Sequence, residues 1–91
     1  MAVITKNDYE FIKKNGGLEQ EVIVKGARVV MDKTLIFTDK FIYETDVVDK
    51  ITIDKQNFIL NKRTLLYESE TDKDKFVFKT KIKNIFIDLK N

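Results

Sequence analysis

The chain has 91 residues, 43% of them apolar and 35% charged, and its 17 basic against 15 acidic side chains leave a net charge of +2. It has no cysteine and no histidine, which excludes a disulfide framework, a thiolate or imidazole metal site, and the Ser–His and Cys–His pairs of nucleophilic catalysis. A length below the usual domain mode of about 100–150 residues implies one domain over 1–91, and apolar runs no longer than Met1-Ala2-Val3-Ile4 are too short for a signal-peptide core or a spanning helix of about 20 residues, so the expected location is the cytoplasm.

In chain order, a short helix is expected over 7–15. Asn7 suits its cap, Asp8 and Glu10 its positive end, and Lys13 and Lys14 its negative end, and Asn15-Gly16-Gly17 stops it. From 19 to 79 the period changes to two, which predicts antiparallel strands. Glu21–Lys25 and Arg28–Met31 flank Gly26-Ala27, the pattern of a hairpin with glycine at its turn. Thr34–Phe37 and Phe41–Glu44 flank Thr38-Asp39-Lys40 as a second hairpin or a bulged strand, and Lys50–Asp54 alternates cleanly. Phe58–Leu60 and Thr64–Glu68 follow, and a last hairpin is expected to join Leu65–Glu70 to Lys75–Lys79 across Thr71-Asp72-Lys73-Asp74.

The C-terminal stretch 80–90 carries two patterns. Ile82, Ile85, Phe86 and Leu89 stand at i, i+3, i+4 and i+7, a helical stripe with Thr80 placed as cap, whereas Ile85, Ile87 and Leu89 also alternate as a strand would. The four-point spacing favours the helix. The expected fold is therefore mostly β (α+β), a small antiparallel β-barrel or strongly bent sheet with a short N-terminal helix and a C-terminal helix.

The run Leu35-Ile36-Phe37-Thr38-Asp39-Lys40-Phe41-Ile42-Tyr43 resembles a signature of the GRAM and bacterial pleckstrin-homology-like families, in which one apolar strand passes through Thr-Asn/Asp-Lys-Arg into another. Ile51-Thr52-Ile53 resembles the strand that follows, and Lys75-Phe76-Val77-Phe78 the last strand before the closing helix. The resemblance runs from about Val22 to the end. Phe41 stands where the family usually has arginine, and the family's acidic-Ile step is missing at Gln56-Asn57. The resemblance implies a non-enzymatic module that binds a protein or a lipid headgroup.

The remaining chemistry is sparse. Ser69 lies between Glu68 and Glu70, where negative charge opposes an alkoxide, and Gly16-Gly17 lacks the Gly-Lys-Ser/Thr of a phosphate loop. Asp72-Lys73-Asp74 lacks the glycine and closing glutamate of a calcium loop. Asp46, Asp49 and Asp54 would act as a catalytic pair only if the fold brought two together. No enzyme, cofactor or metal is expected. Two basic sets stand out. In a strand, Lys75, Lys79, Lys81 and Lys83 share one face and could track a phosphate backbone, or serve as charges guarding a sheet edge. Lys25 and Arg28 flank Gly26-Ala27, and by the family resemblance the first hairpin is where an anionic headgroup would be met. With Arg28 and Arg63 the only arginines, bidentate reading of bases or phosphates has little to work with. The leading expectation is a protein–protein interaction module, an adaptor or inhibitor of a larger protein, of a size and lysine-rich composition common in bacteriophages and mobile elements. Nucleic-acid binding through the lysine stripe comes second and anionic lipid binding third. A homodimer through a sheet edge is compatible with all three.

Overall fold

A computed structural model describes residues 2–5, 8, 11, 14, 19–70, 76–87 and 89–90. The expected N-terminal helix over 7–15 falls mostly outside the described residues, as do Lys75 and the Thr71-Asp72-Lys73-Asp74 turn.

The chain is mostly β, a sheet curled into a half-barrel. Among the described residues its strands are β1 (Ala2–Thr5), β2 (Glu21–Val30), β3 (Lys33–Thr38), β4 (Phe41–Asp46), β5 (Lys50–Ile53), β6 (Gln56–Asn61), β7 (Leu66–Ser69), β8 (Phe78–Lys81) and β9 (Leu89–Lys90), with a helix, α1 (Ile82–Ile87), between the last two. Across the sheet the order is β1-β4-β3-β2-β7-β6-β5-β9, and β8 also pairs with β2. Every pairing is antiparallel except that of β1 with β4, Val3 opposite Ile42 and Ile4 opposite Tyr43.

Two expectations about pairing are overturned. Gly26-Ala27 is not a hairpin turn. β2 runs straight through it as a ten-residue strand, and the turn comes at Met31-Asp32. At Lys25 the ladder slips: Val24 faces Thr38 and Gly26 faces Phe37, so Lys25 is the extra residue of a β-bulge. Gly26 holds φ at 149°, a region other residues rarely enter. The slip explains why the buried positions run Val22, Val24 and then Ala27, since the bulge shifts the alternation by one. Met31-Asp32 and Asp54-Lys55 both have positive φ at each central residue, the geometry of the two-residue turns that match strand twist.

The expected last hairpin does not form either. β7 pairs with β6, and β8 pairs with the first half of β2, Glu21 opposite Lys81 through Val24 opposite Phe78. β7 meets β2 only near Arg28, opposite Leu66, with the Val29 N–H donating to the Leu65 carbonyl at 2.8 Å. The edge of β2 that faces away from β3 is therefore divided between two strands.

In the C-terminal stretch the helical pattern holds for Ile82–Ile87 only, and the alternation of Ile85, Ile87 and Leu89 does not form a strand. β8 extends to Lys81, the helix occupies Ile82–Ile87, and β9 then pairs with β5. Thr80 is not its cap but a buried strand residue whose hydroxyl accepts from Asn84 Nδ2 at 3.0 Å, while the Ile82 N–H donates to the Gln20 carbonyl at 2.9 Å. Ile82 and Ile85 point into the core, as the helical spacing requires.

The core joins Val22, Val24 and Ile36 from one half of the sheet to Ile51, Ile53, Phe58 and Tyr67 from the other. Phe58 stacks on Phe76 at 4.0 Å between ring centres and on Phe78 at 5.8 Å. A polar tie crosses this core. The Tyr67 hydroxyl donates to the Val48 carbonyl, and Thr34 Oγ1 donates to the Tyr67 oxygen at 2.9 Å, so β7, β3 and the link between β4 and β5 meet at one oxygen. Tyr67→Phe leaves a buried carbonyl and a buried hydroxyl without a partner, and is expected to lower the unfolding free energy by about 1–3 kcal/mol. A urea midpoint unchanged by the substitution would show that the tie contributes nothing.

Candidate binding surface

The lysine stripe begins on β8, whose alternation puts Lys79 and the partly buried Lys81 on the face opposite the buried Thr80. Because β8 lies antiparallel to the start of β2, those lysines meet acidic residues. Lys79 Nζ lies 3.9 Å from Glu21, and Lys81 Nζ donates to Glu19 Oε2 at 2.8 Å. Lys83, already on α1, donates to Glu19 Oε1 at 2.9 Å. One carboxylate thus clasps both sides of the strand-to-helix junction. The hydrogen bonds from Lys81 and Lys83, reinforced by their charge, hold the Glu19 carboxyl down at about 2, against an ordinary 4.5. The hydrogen bond to Glu19 in turn raises Lys81. Lys75 lies outside the described residues. A stripe with Lys79, Lys81 and Lys83 answered in this way is a poor phosphate track, because an incoming phosphate must compete with carboxylates already in place.

Lys25 and Arg28 have a different setting. Both are exposed on β2, one on the bulge and the other opposite Leu66. They lie where β7 turns away from β2 before β8 joins it, and there the sheet opens into a cleft of about 300 Å³ lined by Lys25, Gly26, Ala27, Arg28, Phe37, Leu66, Tyr67 and Phe76. Ala27 and Tyr67 are buried at its base, whereas Leu66 keeps 44% of its surface exposed at the rim. Among the described residues neither cation has an acidic partner. The sequence placed these two together on a turn. The structure places them together on a bulged strand beside an apolar cleft, a feature the sequence reading missed. Its signal was the slip from Val22 and Val24 to Ala27 and Val29 in the apolar alternation.

A second groove, about 390 Å³, is lined by Gln20, Glu21, Val22, Ile23, Asp39, Lys40 and Lys79. Its polar groups already serve one another. Asp39 Oδ1 accepts the Ile23 N–H at 2.8 Å, and Lys40 Nζ donates to the Glu21 carbonyl at 3.3 Å. Thr38 Oγ1 accepts the N–H of Phe41 at 2.9 Å and of Lys40 at 3.2 Å, and donates to the Phe41 carbonyl at 2.7 Å. The Thr38-Asp39-Lys40 run therefore closes the β3–β4 turn and fastens it to β2. The three aspartates considered as catalytic partners are dispersed: Asp46 pairs with Lys33, Asp49 lies 4.0 Å from Lys62, and Asp54 sits in the β5–β6 turn.

The sequence matches no protein-family model, and no curated protein or solved structure is detectably similar to it.

Glu19 supplies a pH test of the junction. Its carboxyl sits lower in the folded chain than its ordinary 4.5, so its stabilisation is present above that value and is lost as pH falls through about 2. Urea midpoints followed from pH 7 to pH 2 should fall less steeply for Glu19→Gln than for the native chain. Parallel profiles would mean that the clasp does not persist in solution.

Proposed function

We propose that the protein is a non-enzymatic interaction module that docks on a larger protein, as adaptor or inhibitor, through the face of β2 around Lys25 and Arg28. One observation carries the reading. Lys79, Lys81 and Lys83 are committed to Glu19 and Glu21, whereas Lys25 and Arg28 stand beside an apolar cleft with no acidic partner among the described residues. Apolar surface next to unanswered charge is the composition of an interface, where buried contact supplies affinity and charge supplies orientation. The exposed Leu65 and Leu66 beside the cleft extend that surface. The reading as a pleckstrin-homology-like module draws its support from element order alone, seven strands from β2 to β8 followed by α1.

Anionic lipid binding through the same two cations is the second reading, favoured by their sharing one cleft. Two charges fall short of the cluster of about 4–8 that membrane recruitment ordinarily uses. Nucleic-acid binding is the third, and the pairing of the lysines with Glu19 and Glu21 counts against it.

The test is a pull-down from native host lysate with captured proteins identified by mass spectrometry, with and without nuclease. Capture of one protein should survive nuclease, be lost with Lys25→Glu plus Arg28→Glu, and persist with Lys79→Gln plus Lys81→Gln. Recovery of nucleic acid alone, abolished by the second pair of substitutions, would overturn the proposal.

A further inference from the structure

We infer that the cleft between β7 and β8 receives an extended acidic segment of the partner protein, with one large apolar side chain seated between two carboxylates. The inference rests on the interaction-module reading and specifies what that module recognises.

The walls set the first requirement. Phe37, Leu66 and Phe76 offer hydrocarbon and aromatic surface over the buried Ala27, and Leu66 is exposed. Covering such surface with an apolar side chain contributes roughly 25 cal/mol per Å² removed from water. The charges set the second. Glu19 and Glu21 answer the lysines of β8 and α1, so the positive charge on this part of β2 that has no acidic partner among the described residues is concentrated at Lys25 and Arg28. Charge complementarity therefore selects a negative ligand, and the apolar walls select one that carries a hydrophobic group.

Spacing separates the sources of negative charge. Lys25 and Arg28 are three residues apart on β2, at most roughly 10 Å at about 3.3 Å per residue, and the bulge at Lys25 shortens that span. A single phosphate meets both only if both long side chains fold inward over the cleft mouth. Two carboxylates on an extended chain meet them without that inward fold, and the Arg28 fork suits bidentate pairing with one of them. On an extended segment alternate side chains share one face, so acidic, apolar and acidic residues at every second position present the required order, with the two acidic residues roughly 13 Å apart at about 3.3 Å per residue, a span that the long Lys25 and Arg28 side chains meet by splaying outward from the cleft.

The probe is a synthetic peptide in which serine alternates with aspartate, phenylalanine and aspartate, titrated into the isotope-labelled full chain and followed by amide chemical shifts. Saturable shifts are expected at Lys25–Arg28, Leu66 and Phe76, with affinity at least about tenfold weaker for the asparagine analogue of the peptide and for Lys25→Gln plus Arg28→Gln, a difference of about 1.4 kcal/mol. A well-dispersed spectrum of the variant shows that it remains folded. The inference is overturned if the asparagine analogue binds equally well, if the shifts fall elsewhere, or if no shift appears at millimolar peptide. It is also overturned if phosphatidylglycerol vesicles are bound and the peptide is not. Should the peptide fail while charge reversal at 25 and 28 still abolishes capture of the partner protein, the interaction-module reading stands and the acidic-segment inference falls. Should capture also be indifferent to those charges, both fall.

Discussion

A strand has two edges, and β2 has to serve three partners. One edge is taken by β3 from Val24 to Val30, and the other is divided, with β8 along Glu21–Val24 and β7 at Arg28. The changeover falls at the bulge, where Lys25 is the extra residue and Gly26 holds a backbone angle that a side chain would resist. The added local twist of a bulge bends β2 where its two halves meet different neighbours. The cleft is the space left between the two partners, and the bulge sets Lys25 and Arg28 on its rim. Fold and candidate surface thus share one local cause.

Three further devices hold the division in place. Tyr67 ties β7 to β3 and to the β4–β5 link through a shared hydroxyl inside the core. The Phe58–Phe76–Phe78 stack fixes the chain as it enters β8. Outside, Glu19 clasps Lys81 and Lys83 where β8 becomes α1. The first acts in the buried core and the second at its margin, where an unmade hydrogen bond or a lost ring contact is costly. The third is exposed, and its chief consequence is electrostatic, because it withdraws two lysines from the charge available to a ligand.

What could be read from the sequence was what is written locally. Lys50–Asp54 alternates and its first four residues are β5, Thr38-Asp39-Lys40 separates two apolar runs and carries the β3–β4 turn, and the Ile82–Ile85 spacing is helical. Partnership was not legible, because it is decided between distant residues. The run before β8 looked like the second arm of a hairpin with β7, yet β8 matches β2 better: Lys79 and Lys81 meet Glu19 and Glu21 there, and Phe78 and Thr80 continue the inward face of Val22 and Val24. β1 was missed for the same reason, since four residues that pair in parallel with 41–44 leave no local mark. Gly26 was read as a turn because glycine serves turns and bulges alike, and only the displaced alternation of Val24 and Ala27 tells them apart. As to the candidate surface, the two cations could be named from the sequence, but the cleft they flank depends on β7 and β8 separating, which no local pattern records.

The dependence of the sheet on Gly26 is tested most directly by Gly26→Ala, followed by denaturant unfolding and amide spectra of the folded state. A β-carbon at this position meets nothing within 4 Å, so crowding cannot account for any loss, and only the backbone angle of 149° is at issue. Strain of that kind costs about 1–3 kcal/mol. The account predicts a loss of stability in that range, with spectral changes centred on Lys25–Arg28 and on the facing residues of β7 and β8. An alanine variant with an unchanged midpoint and an unchanged spectrum would contradict it, because β2 would then change partners without needing the glycine.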